Sequence, residues 1–469
     1  MKGARFDQLR TFWAEFRRVK SGLVGLALLG VFILIVLLAP WLSPYSQADK
    51  RWRDMTYWID SPRDARPLWV NWFTSRKYTE TQTINAASSK ETITGSGSST
   101  MRIEEMEFPY QYKAGYPPND IMIKLGVTGR SSYEVLIVRP DGKQMSYRGS
   151  TTIEGAQVVR LSVVETLASR VYAALAPSED PAFAAQKDPT QIDPMSALFA
   201  KAQPGVFTNP VNVPGTYTVK VKLALIGPDA KLDTSQVLVM GGVSGILGTD
   251  DGKRDLWSGV VAGTKWALLL GLLTSLISVA VGVIYGVASG YFGGWIDALM
   301  NRIYEVFTSI PLLPILIVMS AVFKPSIWIM ILVMCVFFWT GPVKTVRSIA
   351  LQIKENAYIE AARGLGASHG RILFRHLVPQ LLPFAFASMA LSVPGAIVTE
   401  SSLSLIGLGD ATVVTWGQIL RDAFGSGAVL KGVWWWVVPP GLAIAVMGMT
   451  FAFIGFAMDT ILNPRLKTR

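Results

Sequence analysis

Residues 358–380 read YIEAARGLGASHGRILFRHLVPQ and lie between two long apolar runs. The helix-forming Glu360-Ala361-Ala362-Arg363 breaks at Gly364 and Gly366 and restarts as a basic amphipathic segment, a pattern that predicts two short helices joined at a bend. Arg363, Arg371 and Arg375 stand against Glu360 alone, so the positive-inside rule assigns the segment to the cytoplasm. A membrane protein with one well-formed cytoplasmic knob is expected to dock a partner there. Small alanines let another surface approach closely, and the glycine turns the chain back towards the membrane.

Half of the 469 residues are hydrophobic and the mean hydropathy is +0.35, which predicts several spans. The net charge of +11 could suggest nucleic acid, but its location argues otherwise. Residues 47–255 carry 24 Lys+Arg against 23 Asp+Glu, leaving 20 against 10 for the hydrophobic remainder. The excess therefore sits at span ends and in short loops, where topology accounts for it and no nucleic acid is implied. The single cysteine, Cys335, falls inside an apolar run, which excludes an intrachain disulfide and a cysteine metal site.

Outward from the knob, the chain reads in order as follows. In residues 1–20, Phe6, Leu9, Phe12, Trp13 and Phe16 fall at helical spacing among basic residues, predicting an amphipathic helix on the cytoplasmic membrane surface. Residues 21–45 are uncharged, too long for a signal-peptide core and without an A-x-A site, so they read as a retained first span. Residues 46–246 contain no run able to cross a bilayer and are expected outside the cytoplasm. Strand alternation marks residues 121–127, 133–147 around Pro140-Asp141-Gly142, 217–225 and 235–240; residues 158–175 read as a helix, and the polar stretch 81–99 as a loop or a disordered excursion. Residues 247–469 hold about five further spans, near 258–289, 299–323, 325–349, 381–407 and 433–459. A cytoplasmic connection is expected at 290–302, a tight outer turn at 323–326, and an outer loop with a re-entrant or short helical piece at 407–432. Both termini then fall inside.

The knob, loop 355–380, resembles the EAA loop of ABC importer permeases: Glu360-Ala361-Ala362, then Gly366, and Val378-Pro379 twelve residues later. Further strings resemble the dipeptide/oligopeptide branch of that family. They are Leu247-Gly248-Thr249-Asp250 with Arg254-Asp255, Gly290-Tyr291-Phe292-Gly293-Gly294-Trp295-Ile296-Asp297, Glu400 to Gly409 (ESSLSLIGLG) followed by Trp416-Gly417, and Asp459 with Asn463-Pro464-Arg465. Lys253 and Asn463 depart from the family's usual Gly and Asp, and the segment between the first two spans is much longer than the branch carries. The resemblance implies an all-α polytopic membrane protein of about six transmembrane helices, the type I ABC importer permease fold, with an inserted extracytoplasmic β-rich α+β domain. It implies a permease of the prokaryotic inner membrane moving peptides, with oligosaccharides or nickel chelates as alternatives. The partners implied are a second homologous permease, two ABC ATPase subunits and an extracytoplasmic substrate-binding protein. ATP and Mg would sit on the ATPases, with no cofactor on this chain. The coupling residues implied are Glu360, Ala361, Ala362, Gly366, Ala367, Arg371, His376 and Pro379. The outer domain is expected to touch the binding protein or cap the outer gate.

Glu400 and Glu305, ionisable groups in apolar surroundings, are candidates for the pathway or a subunit contact, with Ser404 beside the former. Their bland reading, shared by Lys265, is a span-end charge that pairs with a partner subunit or snorkels. His369 and His376 lack ligand-spaced carboxylates and read as contacts to the ATPase or headgroups. Gly259 to Lys265 lacks the G-K-[S/T] order of a phosphate loop, Asp250, Asp251 and Asp255 lack a calcium-loop register, and no hydrolase motif is present. A rival class, a membrane-anchored receptor or scaffold working through its outer domain, leaves the EAA-like loop without a purpose.

Overall fold

The computed structural model describes residues 13–94, 101–113, 115–148, 153–181, 188–189 and 192–462. The expected N-terminal amphipathic helix and the tail 463–469 therefore lie largely or wholly outside the described residues, with only Trp13 to Phe16 seen as helical. The chain divides into two units, one of Met1–Arg53 with Trp257–Arg469 and one of Asp54–Leu256.

In the first unit, α1 (Lys20–Leu42) is apolar all round and buries Gly22, Gly25 and Phe32. The second unit begins with a single helical turn, α2 (Val70–Phe73), and then forms a seven-stranded antiparallel sheet. Its strands are β1 (Gln82–Ile84), β2 (Ser88–Thr94), β3 (Met101–Tyr112), β4 (Asp120–Val138), β5 (Gln144–Arg148), β6 (Ile153–Arg160) and β7 (Gly215–Met240). Helices α3 (Glu165–Leu175) and α4 (Pro194–Leu198) lie between β6 and β7.

β4 and β7 are the axis of this unit. They pair along their whole lengths, with register shifts at 126–130 where Gly129 and Gly227 take positive φ, so each long strand bends and serves two ladders. One end runs β2-β3-β7-β4-β5; at the other, β1 joins β7 and β6 joins β4. Tyr217, Val219, Val221, Leu223 and Leu225 alternate inward onto Phe108, Tyr110, Val135, Ile137 and Phe199. The opposite face is charged. Lys90, Glu105, Lys222, Glu134 and Arg148 are successive cross-strand partners of alternating sign, with Lys222–Glu105 at 2.9 Å and Arg148–Glu134 at 3.4 Å, the arrangement of a solvated face. At the β4–β5 turn the buried Arg139 guanidinium donates to the carbonyls of Ala197, Leu198 and Ala200 at 3.3, 2.6 and 2.5 Å, closing the C-terminal end of α4. Partial burial pushes the Asp141 carboxyl up, but its two bonds from Arg139 outweigh this and hold it below the usual carboxylate range.

Three sequence expectations change here. The stretch 81–99, read as a loop, contains β1 and β2. Every β2 side chain is exposed, so the strand leaves no burial signal and exists through its ladder with β3. The helix expected over 158–175 starts only at Glu165, because residues to Arg160 pair with β4. The separate strands 217–225 and 235–240 are one bent β7.

Back in the first unit the helices are α5 (Leu256–Phe292), α6 (Gly294–Ser309), α7 (Leu312–Val322), α8 (Ile327–Phe338), α9 (Thr340–Lys354), α10 (Ala357–Gly364), α11 (His369–Ile372), α12 (Val378–Leu405), α13 (Trp416–Gly425) and α14 (Trp434–Leu462). Among the described residues five helical stretches are long and apolar enough to cross a membrane, or six if the bent pair α6–α7 counts as one. The third expected span, 299–323, is thus not straight: it bends by 69° at Ile310-Pro311, where proline withholds a helix donor. The expected connection 290–302 shrinks to one residue, Gly293, and positive φ at Gly293 and Gly294 makes the corner.

Candidate coupling loop and buried carboxylate

α9 and α10 are separated by Glu355 and Asn356, and α10 ends in a Schellman turn. Gly366 N–H donates to Arg363 O and Ala367 N–H to Ala362 O, both at 3.0 Å, with Gly366 at φ +78°. This explains the glycine of the loop: a side chain there would strain the left-handed backbone. Ser368 then caps α11, a π-helical turn covers Leu373–Leu377, and Pro379 withholds the donor that would close an α-turn onto Arg375.

Ile359 and Ile372 anchor the loop in a cluster with Val287, Tyr291, Val346, Ala350 and Ile353. Tyr291, from the Gly290–Asp297 string, adds polar ties: its hydroxyl meets His369 Nδ1 at 2.9 Å, and the Arg363 guanidinium lies 5.7 Å from its ring centroid. The Gln380 amide bonds the Tyr358 hydroxyl. Asp297 clamps the corner beneath, accepting from Arg347 at 2.7 and 2.5 Å, from Asn301 at 2.9 Å and from Ser289. Above these anchors Glu360, Ala361, Gly366, Arg371 and Pro379 are exposed, while Ala362, Ala367 and His376 are half-buried. Leu365 is 88% exposed and Phe374 61%, so the knob offers apolar side chains among cations.

Glu400 lies on α12 and is 7% exposed. Its carboxylate accepts from Ser404 and Thr415 hydroxyls, both at 2.7 Å, and from Ser401 at 3.3 Å. Thr415 is also the N-cap of α13, receiving Gln418 N–H at 3.2 Å, so Glu400 fastens the start of α13 to α12. α13 is also held by Arg53, which meets Asp422 at 2.7 Å and Gln418 at 3.3 Å. Glu305 is placed elsewhere: it is exposed on α6 and pairs with Arg302 at 3.1 Å, one turn before the 310–311 bend. Lys265 is exposed on α5 with its ammonium 5.5 Å from the Trp266 ring centroid.

The structure thus gathers the loop residues on one exposed knob, joins Glu400 to Ser404, and separates Glu305 from both. Sequence reasoning did not find Tyr291, Asp297–Arg347 or Thr415 as supports. The first two lie in or against the Gly290–Asp297 string, which marked a turn without saying what it holds.

Residues 278–468 match the family described as binding-protein-dependent transport system inner membrane component, and residues 7–59 match the N-terminal transmembrane domain of oligopeptide transport permease C. The dipeptide transport system permease protein DppC of Bacillus subtilis is 35% identical over 222 residues, 47% of this chain and 69% of that protein. The chain belongs to the dipeptide/oligopeptide permeases of ABC importers. The oligopeptide permease OppC of Bacillus subtilis is 32% identical over 47% of this permease and 72% of its own length. The peptidoglycan transport permease YejE of Agrobacterium fabrum is 31% identical over 48% of the chain and 58% of its own. Residues 60–277, which include the whole β-sheet, lie outside both family matches. The permease is a multi-pass membrane protein and a transport subunit.

Proposed function

We propose that this permease forms half of the translocation pathway of an ATP-driven importer for peptides, paired with a second permease chain and supplied by a binding protein. Two ATPase subunits, which would hold the ATP and Mg, dock on residues 355–380 from the cytoplasmic side. The observation that carries this reading is the knob itself: Leu365 stands 88% exposed on an anchored turn that also exposes Glu360 and Arg371. Such a surface is wasted in water and suited to a partner's cleft. A lever of this kind transmits work only if its docking differs between two states of the ATPases. Glu400, Ser404 and the more distant Glu305 are proposed as groups of the pathway or the subunit interface. The β-rich unit is proposed to lie outside the membrane and to touch the binding protein or cap the outer gate.

The test is co-purification in mild detergent, wild type against Glu360→Arg. ATPase subunits should accompany the wild type and be depleted with the variant, while the second permease is retained. A wild-type chain that brings no ATPase in several detergents would overturn the reading.

A further inference from the structure

Within the β-rich unit, the turn α2 presents Trp72 and Phe73, each 80% exposed. Leu68 and Ile246, both exposed, belong to the same corner: Leu68 N–H donates to Gly245 O at 3.0 Å and the Trp69 indole to Ile246 O at 2.9 Å. Phe73 meets Trp69 edge-on, with 6.3 Å between ring centroids. Four large apolar groups therefore stand in the open on a short, well-tied turn.

We infer that this turn inserts into the lipid headgroup region. The first argument is its tether. Two residues beyond Ile246, the Gly248 carbonyl accepts Leu256 N–H at 3.1 Å, and Leu256 is the first residue of the membrane-crossing helix α5. The neighbouring Trp257 indole donates to the carbonyl of Leu42, the last residue of α1, at 2.8 Å. The second argument is residue type: Trp and Phe beside short apolar chains are what the bilayer interface accommodates. The third is charge. Residues 65–79 hold Arg66, Arg76 and Lys77, with Asp64 and Glu80 at the two ends of the stretch, so the turn itself carries only cations. This inference rests on the chain crossing a membrane and is independent of what it transports.

The test uses the full chain, with its co-purifying subunits, in nanodiscs of mixed neutral and anionic lipid. On a Cys335→Ala background, nitroxide labels at Trp72→Cys, Phe73→Cys and the exposed β7 position Asp229→Cys are compared for collision with oxygen, which concentrates in lipid, and with a water-soluble nickel chelate. The labels at 72 and 73 should show a several-fold higher ratio of oxygen to nickel collision than the label at 229. A ratio equal to that at 229 places the turn in water. Shielding from both reagents means that a protein covers it. Either result overturns the inference, and because both positions are exposed their replacement leaves the core intact.

Discussion

Glu400 and Glu305 looked alike as residues, each a carboxylate in an apolar run, yet their surroundings give them opposite weights. Glu400 collects hydroxyls from Ser401, Ser404 and Thr415 inside the fold, whereas the exposed Glu305 carboxylate pairs with the exposed Arg302. Glu400→Leu leaves buried hydroxyls without their acceptor and should cost about 1–3 kcal/mol for each so stranded. Glu305→Leu breaks a surface pair and should cost roughly 0–1 kcal/mol. Thermal unfolding of the detergent-solubilised permease compares them: a clear drop in midpoint is expected for Glu400→Leu alone, and equal shifts would refute the distinction. The candidacy of Glu400 was legible because charge in an apolar run is costly. Its partners were not, because Thr415 is fifteen positions away and only the return of the chain after α12 brings its hydroxyl to the carboxylate.

Among elements, the contact of α5 with α9 is fixed by Gly282, Gly286 and Gly290, four residues apart on one face. A Cβ at Gly282 would stand 2.3 Å from Trp339 O, at Gly286 2.8 Å from Val343 O, and at Gly290 2.8 Å from Arg347 O. These backbones touch, and backbone cannot yield as a flexible side chain does. Gly286→Ala should therefore destabilise by about 1–3 kcal/mol through overpacking. Gly341→Ala on α9, where nothing lies within 4 Å, should be neutral or stabilise by up to about 1 kcal/mol through helix propensity. Chemical unfolding followed by helical circular dichroism measures both, and a tolerant Gly286 would deny the close packing. The sequence carries glycine at every fourth position here, which permits some close approach. Which helix approaches it does not say, since a small residue names no neighbour. The bend at Ile310-Pro311 shows a related limit: the run 299–323 is apolar enough to read as one straight span, while the one missing donor that breaks it contributes nothing to hydropathy.

For the whole molecule, the permease joins a membrane unit that its family describes to a β-rich unit that the family matches leave out. If the β-rich unit meets the binding protein or covers the outer gate, replacing residues 75–240 by a short Gly/Ser linker should abolish binding-protein-dependent uptake in proteoliposomes while ATPase subunits still co-purify. Unchanged uptake and unchanged affinity for the binding protein would remove that role. The sequence by itself determined the crossing segments, the basic exposed loop with its glycine turn, and the alternating core strands. Each of these is a local consequence of hydropathy, charge and backbone freedom, read over a few turns of chain. Only the tertiary structure decided that the exposed stretch 88–94 is a strand, that β4 and β7 run unbroken through both ends of the sheet, that Tyr291 and Asp297 support the loop, and that Thr415 closes on Glu400. These depend on partners distant in the chain, whose pairing leaves no periodic mark on either segment alone.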